Sequence, residues 1–191
     1  GVIAAEILRF RSYPYLDLAY RMRQAGRLPE AKAEFEKYFQ RAPDDVRARV
    51  SYLALLESMS LYNEAAAEAE QIAARWPRFV PAWLHKGLAH RQLNQQKQAY
   101  AAFIKAVGEQ DVLKNDLVFA LSMAAETAMA IRSYDDAVKQ LQRLSRIDGR
   151  YKWTMQTGLA LEKSHHFNNA MQAYLEAGKM ATSAAGKSAA L

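Results

Sequence analysis

The sequence contains no cysteine, only eight glycines and five prolines, and no long uninterrupted apolar run. Without cysteine, disulfide bonds and thiolate metal ligands are excluded, and the chain is compatible with either a reducing cytosol or an oxidising periplasm. Every apolar run is far shorter than the roughly 20 residues that a transmembrane helix requires. The sequence therefore predicts no membrane-spanning segment.

What the chain has in quantity is helix-forming residues. Of its 191 residues 51% are hydrophobic, and Ala, Leu, Gln, Glu, Lys and Arg are common, whereas β-branched residues are sparse. These residue types favour helix over strand. The composition predicts an all-α chain with enough apolar surface for a continuous core.

One stretch carries a regular pattern of large and small residues. Trp83, Gly87, Ala99, Phe103 and Ala106 lie at offsets 0, 4, 16, 20 and 23, the spacing of a helix–turn–helix repeat of about 34 residues. Gly87 and Ala99 lack bulk where two antiparallel helices would cross, so the backbones can approach to roughly 8–10 Å. Trp83 and Phe103 are large and can fill the space that remains. The pattern predicts a helical hairpin in which large and small residues interlock.

The pattern recurs along the chain. Alanines equivalent to Ala99 follow one another at intervals of 34, 34, 38 and 33 residues; they are Ala31, Ala65, Ala137 and Ala170. We therefore expect five helix–turn–helix units, at residues 12–45, 46–79, 80–113, 118–151 and 151–181, with residues 114–117 in a longer connection.

The two ends of the chain lie outside these units. Residues 1–11 are predicted to form a helical arm, and residues 182–191 a tail or the start of a further helix. The first residue is Gly rather than Met, and no charged-then-apolar leader precedes the units. We expect a fragment or a matured form from which a targeting signal has been removed.

All five units resemble the tetratricopeptide (TPR) repeat family, over residues 12–181. The resemblance rests on the spaced small and large positions that recur from unit to unit. It implies an α-solenoid, a right-handed superhelix of helix pairs, whose first helices line a concave groove. In this family the groove binds a peptide or a helix of a partner protein.

The resemblance also implies which side chains line that groove. The candidate partner-binding residues are Tyr13, Tyr20, Arg23, Arg47, Glu57, Arg91, Phe119, Glu126, Lys152 and Glu162. We expect Tyr20 and Arg23 to contribute to binding and not to folding. Chaperone-binding members hold a C-terminal carboxylate with basic and Asn residues. Those positions carry Leu16, Tyr20, Ala54 and Leu88 here, which disfavours that ligand class.

The N-terminal third shows a second resemblance. Residues 10–20 (FRSYPYLDLAY), 35–45 (FEKYFQRAPDD) and 52–54 (YLA) are similar to the N-terminal TPR region of the bacteriophage adsorption protein A family. That resemblance implies periplasmic repeats of an outer-membrane protein for exopolysaccharide secretion and phage adsorption. The expected location is the periplasmic face of the bacterial outer membrane, and the expected partner a protein or the exopolysaccharide. The alternative is a cytosolic TPR adaptor that binds a peptide or helix.

Residues that could carry catalysis or hold a metal are not suitably spaced. His85 and His90 are five residues apart and not four, and the adjacent His165 and His166 would point in different directions; neither pair suits a helical metal site. No Gly-rich phosphate loop, nucleophile elbow or zinc-protease motif is present. We expect a non-enzymatic scaffold without catalytic residues, metal or cofactor.

Two pairs of adjacent aspartates could be interpreted as paired catalytic carboxylates. Asp44 and Asp45, and likewise Asp135 and Asp136, stand at predicted helix starts. There a carboxylate satisfies free backbone N–H groups. Capping is therefore the better explanation of both pairs.

The chain is basic, with 26 Lys and Arg against 20 Asp and Glu and a formal net charge of +6. Such an excess is compatible with an anionic partner. Charges on helix faces are, however, mostly solvated or paired one turn apart. Because no continuous basic face is evident, nucleic acid is the disfavoured partner.

Overall fold

Helix-forming segments separated by short turns account for the architecture. The computed structural model describes residues 2–109 and 112–189, and within these ranges it contains ten α-helices and no strand. The prediction of an all-α chain is confirmed. In chain order the helices are α1 Val2–Gln24, α2 Leu28–Phe39, α3 Val46–Ser58, α4 Tyr62–Arg75, α5 Val80–Gln92, α6 Gln96–Gly108, α7 Lys114–Ala130, α8 Tyr134–Asp148, α9 Tyr151–Lys163 and α10 Phe167–Ala189.

The turns that follow α1, α3, α5, α7 and α9 share one backbone feature. Each contains a residue with φ between 59° and 74°, five positions before a recurrent alanine; these residues are Gly26, Ser60, Asn94, Arg132 and His165. After α3 the turn is closed by two backbone hydrogen bonds, from Leu61 N–H to the Leu56 carbonyl and from Ser60 N–H to the Glu57 carbonyl, each at 2.9 Å. This is the Schellman arrangement, which satisfies the last carbonyls of a helix. The turns after α1, α7 and α9 have the same two bonds.

The chain divides between Leu93 and Asn94 into two compact units. In unit 1, α1 packs on α2, α2 on α3, α3 on α4 and α4 on α5, and α3 also contacts α5. The recurrent Ala31 and Ala65 are buried beside large side chains such as Phe35. Small residues thus allow the close helix packing that the sequence pattern predicts.

Unit 2 is built in the same way, with α6 packed on α7, α7 on α8, α8 on α9 and α9 on α10. Its recurrent alanines Ala99, Ala137 and Ala170 are buried, and Phe103 is 0% exposed. Phe103 is therefore the interior residue that its spacing predicts.

Helix capping follows the prediction at one aspartate pair. Asp45 precedes α3, and its carboxylate accepts a hydrogen bond from Ala48 N–H at 3.1 Å. The other pair behaves differently, because Ser133 precedes α8 and its hydroxyl donates to Asp136 at 2.7 Å without a side-chain cap to the backbone. The capping prediction is confirmed for Asp45. Asp135 and Asp136 lie in the first turn of α8, at a helix start as predicted, but the residue at the N-cap position there is Ser133.

Residues 2–11 are helical, as predicted for the arm, and belong to α1, a single helix that also contains Pro14. The predicted connection at residues 114–117 and the predicted end at residues 182–189 are wrong, because helix continues further than expected. Residues 114–117 form the first turn of α7, since Leu117 continues the apolar helical spacing towards Leu121. Residues 182–189 extend α10 through an alanine-rich stretch and do not begin a new helix. The predicted arm and tail also include residues 1, 190 and 191, which lie outside the described residues; the other unit boundaries stay predictions.

Across the described part of the chain, no helix has both the length and the apolar character needed to cross a membrane.

Candidate functional site

The ten predicted groove residues all lie on the first helices of the helix pairs, α1, α3, α5, α7 and α9. Six belong to unit 1 and four to unit 2.

In unit 1 three predicted residues meet where α1 lies beside α3. The Tyr20 hydroxyl donates to Ser51 Oγ at 3.2 Å, and Arg23 Nη1 donates to the Ser51 carbonyl at 3.4 Å. The Ser51 hydroxyl in turn donates to the carbonyl of Arg47, one helical turn earlier, at 3.2 Å. Arg47 takes part in this junction through its main-chain carbonyl, and the residue is exposed.

Tyr20 is also a packing residue. Its ring meets the buried Phe35 ring edge-on, with centroids 5.5 Å apart, and lies against the core of unit 1. Such aromatic pairs add to the stability of a core. This packing is at odds with the expectation that Tyr20 does not contribute to folding, whereas its part in binding stays a prediction.

The same junction recurs one repeat further along unit 1. Glu57 on α3 contacts His85 on α5, with Oε1 and Nδ1 2.9 Å apart. Glu57 and His85 each follow Arg23 and Ser51 by 34 residues, so equivalent positions join consecutive first helices. His85 therefore lies at a junction of two helices and contacts Glu57 there.

The remaining predicted residues of unit 1 are Tyr13 and Arg91. Tyr13 is 43% exposed on α1, and Arg91 is half-buried near the end of α5.

Several basic side chains in unit 1 are paired with carboxylates. Four arginines make such pairs: Arg21 with Asp17, Arg27 with Glu30, Arg49 with Glu68, and Arg75 with Asp44. These pairs neutralise the charge of four arginines in unit 1. They support the simpler explanation of the net charge, namely solvated and paired helix faces.

A further polar network joins α2, α3 and α4. Lys32 Nζ contacts Glu36 at 2.7 Å and Glu64 at 3.1 Å, and the Tyr52 hydroxyl donates to Glu36 at 3.0 Å. The hydrogen bond from Lys32, followed by that from Tyr52, lowers the pKa of Glu36 despite partial burial. Burial and the bond to Glu36 raise the pKa of Tyr52. This network holds consecutive helix pairs together.

In unit 2 an open cleft of about 500 Å³ lies between α7 and α9. Its lining residues come from α7, α8 and α9: Ser122, Ala125, Glu126, Met129, Leu141, Lys152, Trp153 and Gln156. We call it the α7–α9 cleft. Two predicted groove residues, Glu126 and Lys152, are among them.

Trp153 forms one wall of the α7–α9 cleft, and its orientation is set by neighbouring charges. The indole N–H donates to the Asp148 carboxylate, which also accepts from Arg150. Burial opposes ionisation of Asp148, but these hydrogen bonds outweigh it and lower the pKa of the carboxyl. Lys152 Nζ lies 4.0 Å and Arg150 Cζ 5.3 Å from a ring centroid of the indole, within the range of cation–π attraction.

The other two predicted residues of unit 2 lie outside the α7–α9 cleft. Phe119 is partly exposed on α7, and its carbonyl accepts from the Ser122 hydroxyl at 2.8 Å, so it lies about one turn beyond the cleft. Glu162 accepts from the Tyr174 hydroxyl at 2.8 Å. It borders a second depression instead, with Phe167, Met171 and Leu175 of α10.

Trp153 and Gln156 are among the six cleft residues that are missing from the predicted groove set. A signal for them exists in the sequence, because residues 152, 153 and 156 share one side of a helix. The signal does not decide between core and surface, since an aromatic residue at helical spacing more often packs inside.

Among the described residues no group of three or more His, Asp or Glu side chains could hold a metal ion.

Comparisons with solved structures identify the fold. The MamA protein superimposes with a TM-score of 0.76 at 17% identity, over 92% of this chain and 94% of that one. YrrB, described as a TPR protein with an unusual peptide-binding site, gives 0.69 at 18% identity over 87% and 84%. PilF of Pseudomonas aeruginosa gives 0.64 at 16% identity over 92% and 78%.

At the level of sequence, no protein-family model and no curated protein matches the chain. Resemblance to the bacteriophage adsorption protein A family stays a prediction. At identities of 16–18% the structural likeness is evidence of fold alone. The predicted fold class is confirmed: this all-α chain has the helix-pair fold of TPR α-solenoid proteins.

Proposed function

We propose that this chain is a non-catalytic scaffold that binds a peptide or a helix of a partner protein along its first helices. The observation that supports this most directly is the α7–α9 cleft, which combines an apolar floor with a polar rim on two first helices. Peptide-binding grooves use the same combination, in which apolar contacts supply affinity and a few polar groups fix the orientation.

Selection of a random peptide library, displayed on phage, against the folded protein tests this proposal. Peptides that bind should lose affinity when Arg47 on α3 or Lys152 on α9 is replaced by Glu. Lys139→Glu, at an exposed position of α8, is the matched control and should leave binding unchanged. Circular dichroism of each variant should show unaltered helix content. Failure to enrich any peptide, or binding that no first-helix variant alters, would contradict the proposal.

The N-terminal resemblance supports a more specific role. On that ground we place the scaffold at the periplasmic face of the bacterial outer membrane, in exopolysaccharide secretion and phage adsorption. Its partner there is a protein or the exopolysaccharide. A cytosolic adaptor that binds a peptide or helix of its partner is the alternative.

Two measurements separate these roles. Fractionation of cells that produce the full-length protein should recover it with the outer membrane for the first role and with the cytosol for the second. Titration with an acidic oligosaccharide at two salt concentrations should show binding that weakens with salt, because exposed charges are screened. Absence of oligosaccharide binding together with cytosolic recovery would reject the secretion role and leave the peptide-binding scaffold intact.

A further inference from the structure

The α7–α9 cleft is shaped to receive an apolar side chain. Its floor contains Ala125 and Leu141, which are 2% and 4% exposed, and half-buried Met129 and Trp153 line its walls. Ala125 leaves depth where a larger residue would fill the cleft. Apolar surface that remains open to solvent gains free energy when a ligand covers it.

Part of this surface is ordered before any ligand binds. The indole N–H of Trp153 is held by Asp148, so the ring does not have to be immobilised on binding. Prior ordering lowers the entropic cost of association. Met129 on the opposite side has a flexible, polarizable side chain that adapts to ligands of different shape.

One end of the cleft favours negative charge. Arg150 and Lys152 both lie over Trp153, at the N-terminus of α9. The helix dipole adds partial positive charge at the same place. Asp148 pairs with Arg150, and Lys152 is exposed beside the indole ring at this end of the cleft.

The wall of the cleft formed by α7 carries an acidic side chain. Glu126 is exposed on α7, with Ser122 one turn before it. Lys152 on α9 is the basic side chain of this cleft that a ligand carboxylate would approach.

We propose that the α7–α9 cleft binds a segment of a partner protein in which one large apolar side chain stands next to an acidic residue. The apolar side chain covers Ala125, Leu141 and Trp153, and the carboxylate approaches Lys152. This assignment rests on the proposed peptide-binding function and specifies the ligand at one of its surfaces.

The test uses peptides enriched from a random 12-residue phage library on the folded chain, then synthesised and measured by fluorescence anisotropy. Enriched peptides should share Leu, Met, Phe or Trp beside Asp or Glu. Replacing the apolar residue with Ala should weaken binding about tenfold, as for a buried anchor. Replacing the acidic residue with its amide should weaken binding about threefold, as for an exposed charge contact.

Matched variants of the protein locate the binding. Gln156→Trp places bulk at the cleft and should abolish binding, whereas Gln142→Trp, exposed on α8, should not. Lys152→Glu should select peptides with Lys or Arg in place of the acidic residue, and Lys139→Glu should not. Thermal melts of all four variants show whether folding is retained.

The outcomes separate this inference from the proposed function. Peptides that Arg47→Glu weakens but Gln156→Trp does not would overturn the cleft assignment and leave the scaffold role standing. Cleft-bound peptides without an acidic preference would overturn the stated ligand. A library that yields no binding peptide would overturn both.

Discussion

A Cβ atom added to Gly158 would lie 2.6 Å from Cε1 and 2.7 Å from Cδ1 of the Tyr174 ring. The backbone of α9 thus touches an aromatic face of α10 at a position where only glycine fits. Tyr174 cannot move away freely, because its hydroxyl donates to Glu162 at 2.8 Å. This contact is the small-against-large packing that the repeat pattern implies.

Gly158→Ala should therefore destabilise unit 2. Alanine favours helix over glycine by about 1 kcal/mol, but displacing a packed ring costs about 1–3 kcal/mol, so we expect a net loss of about 1 kcal/mol. Gly178→Ala is the control, because that glycine is also helical but has no atom within 4 Å of its added Cβ; it should be neutral or stabilising. Urea unfolding measures both, and equal effects of the two substitutions would mean that the contact is not tight.

Phe103→Ala should cost about 3–5 kcal/mol, because it removes a fully buried ring and leaves a cavity. Phe167→Ala, in which the ring is 61% exposed, should cost less than about 1 kcal/mol. Chemical denaturation of both variants provides the measurement. A loss under about 1 kcal/mol at Phe103 would contradict its place in the core.

Arg132→Gly should stabilise the chain. Arg132 has φ of 61° in the turn after α7, a conformation that costs a residue with a Cβ about 1 kcal/mol relative to glycine. Asn94→Gly at φ of 59° should gain less, because asparagine tolerates this conformation. Melting temperatures compare the two, and a decrease for Arg132→Gly would show that its side chain contributes more than the backbone strain removes.

Tyr20→Ala should lower stability by about 2–3 kcal/mol, since the ring packs on Phe35. Tyr20→Phe keeps the ring and loses only the bond to Ser51, so it should cost about 1 kcal/mol. If Tyr20→Phe nevertheless weakens peptide binding, the hydroxyl group contributes to peptide binding in the groove. Equal stability losses for the two variants would refute the packing role.

Stability should fall in acid partly through Glu36. The pKa of this carboxyl is lowered in the folded chain from its ordinary 4.5, first by the hydrogen bond from Lys32. As the pH falls below 4.5, Glu36 takes up a proton in the unfolded chain before it does so in the folded chain. The contribution of Glu36 to the free energy of unfolding is therefore present above pH 4.5 and disappears as the pH falls through the pKa of the folded chain.

Glu36→Gln should accordingly lower the free energy of unfolding at pH 7 and flatten its decline below pH 4.5. Adding Lys32→Gln to Glu36→Gln should change little more, because the two residues contact each other and their effects are not additive. Urea unfolding from pH 7 to pH 3 measures this. An unchanged slope for Glu36→Gln would remove the network as a source of pH dependence.

Local spacing was sufficient for the helices and for their closest contacts. Recurrent alanines and the large residues beside them predict helix pairs, because residue size and helical period are properties of the chain itself. Burial of Phe103 follows from the same spacing. Helix ends were less predictable: residues 114–117 and 182–189 continue helices, since a weak apolar pattern does not mark where a helix stops.

Only the tertiary structure determines which side chains both pack against the core and line a surface, and where a cleft opens. Tyr20 could face Phe35 or solvent, and only packing of α1 on α2 places its ring inside. Trp153 lines a cleft because Asp148, the last residue of α8, accepts a hydrogen bond from its indole N–H, and because the small residue Ala125 lies opposite. The amino-acid sequence determines which faces of each helix are apolar. The depth of a cleft and the direction of a ring depend on neighbours that meet only when the helices pack.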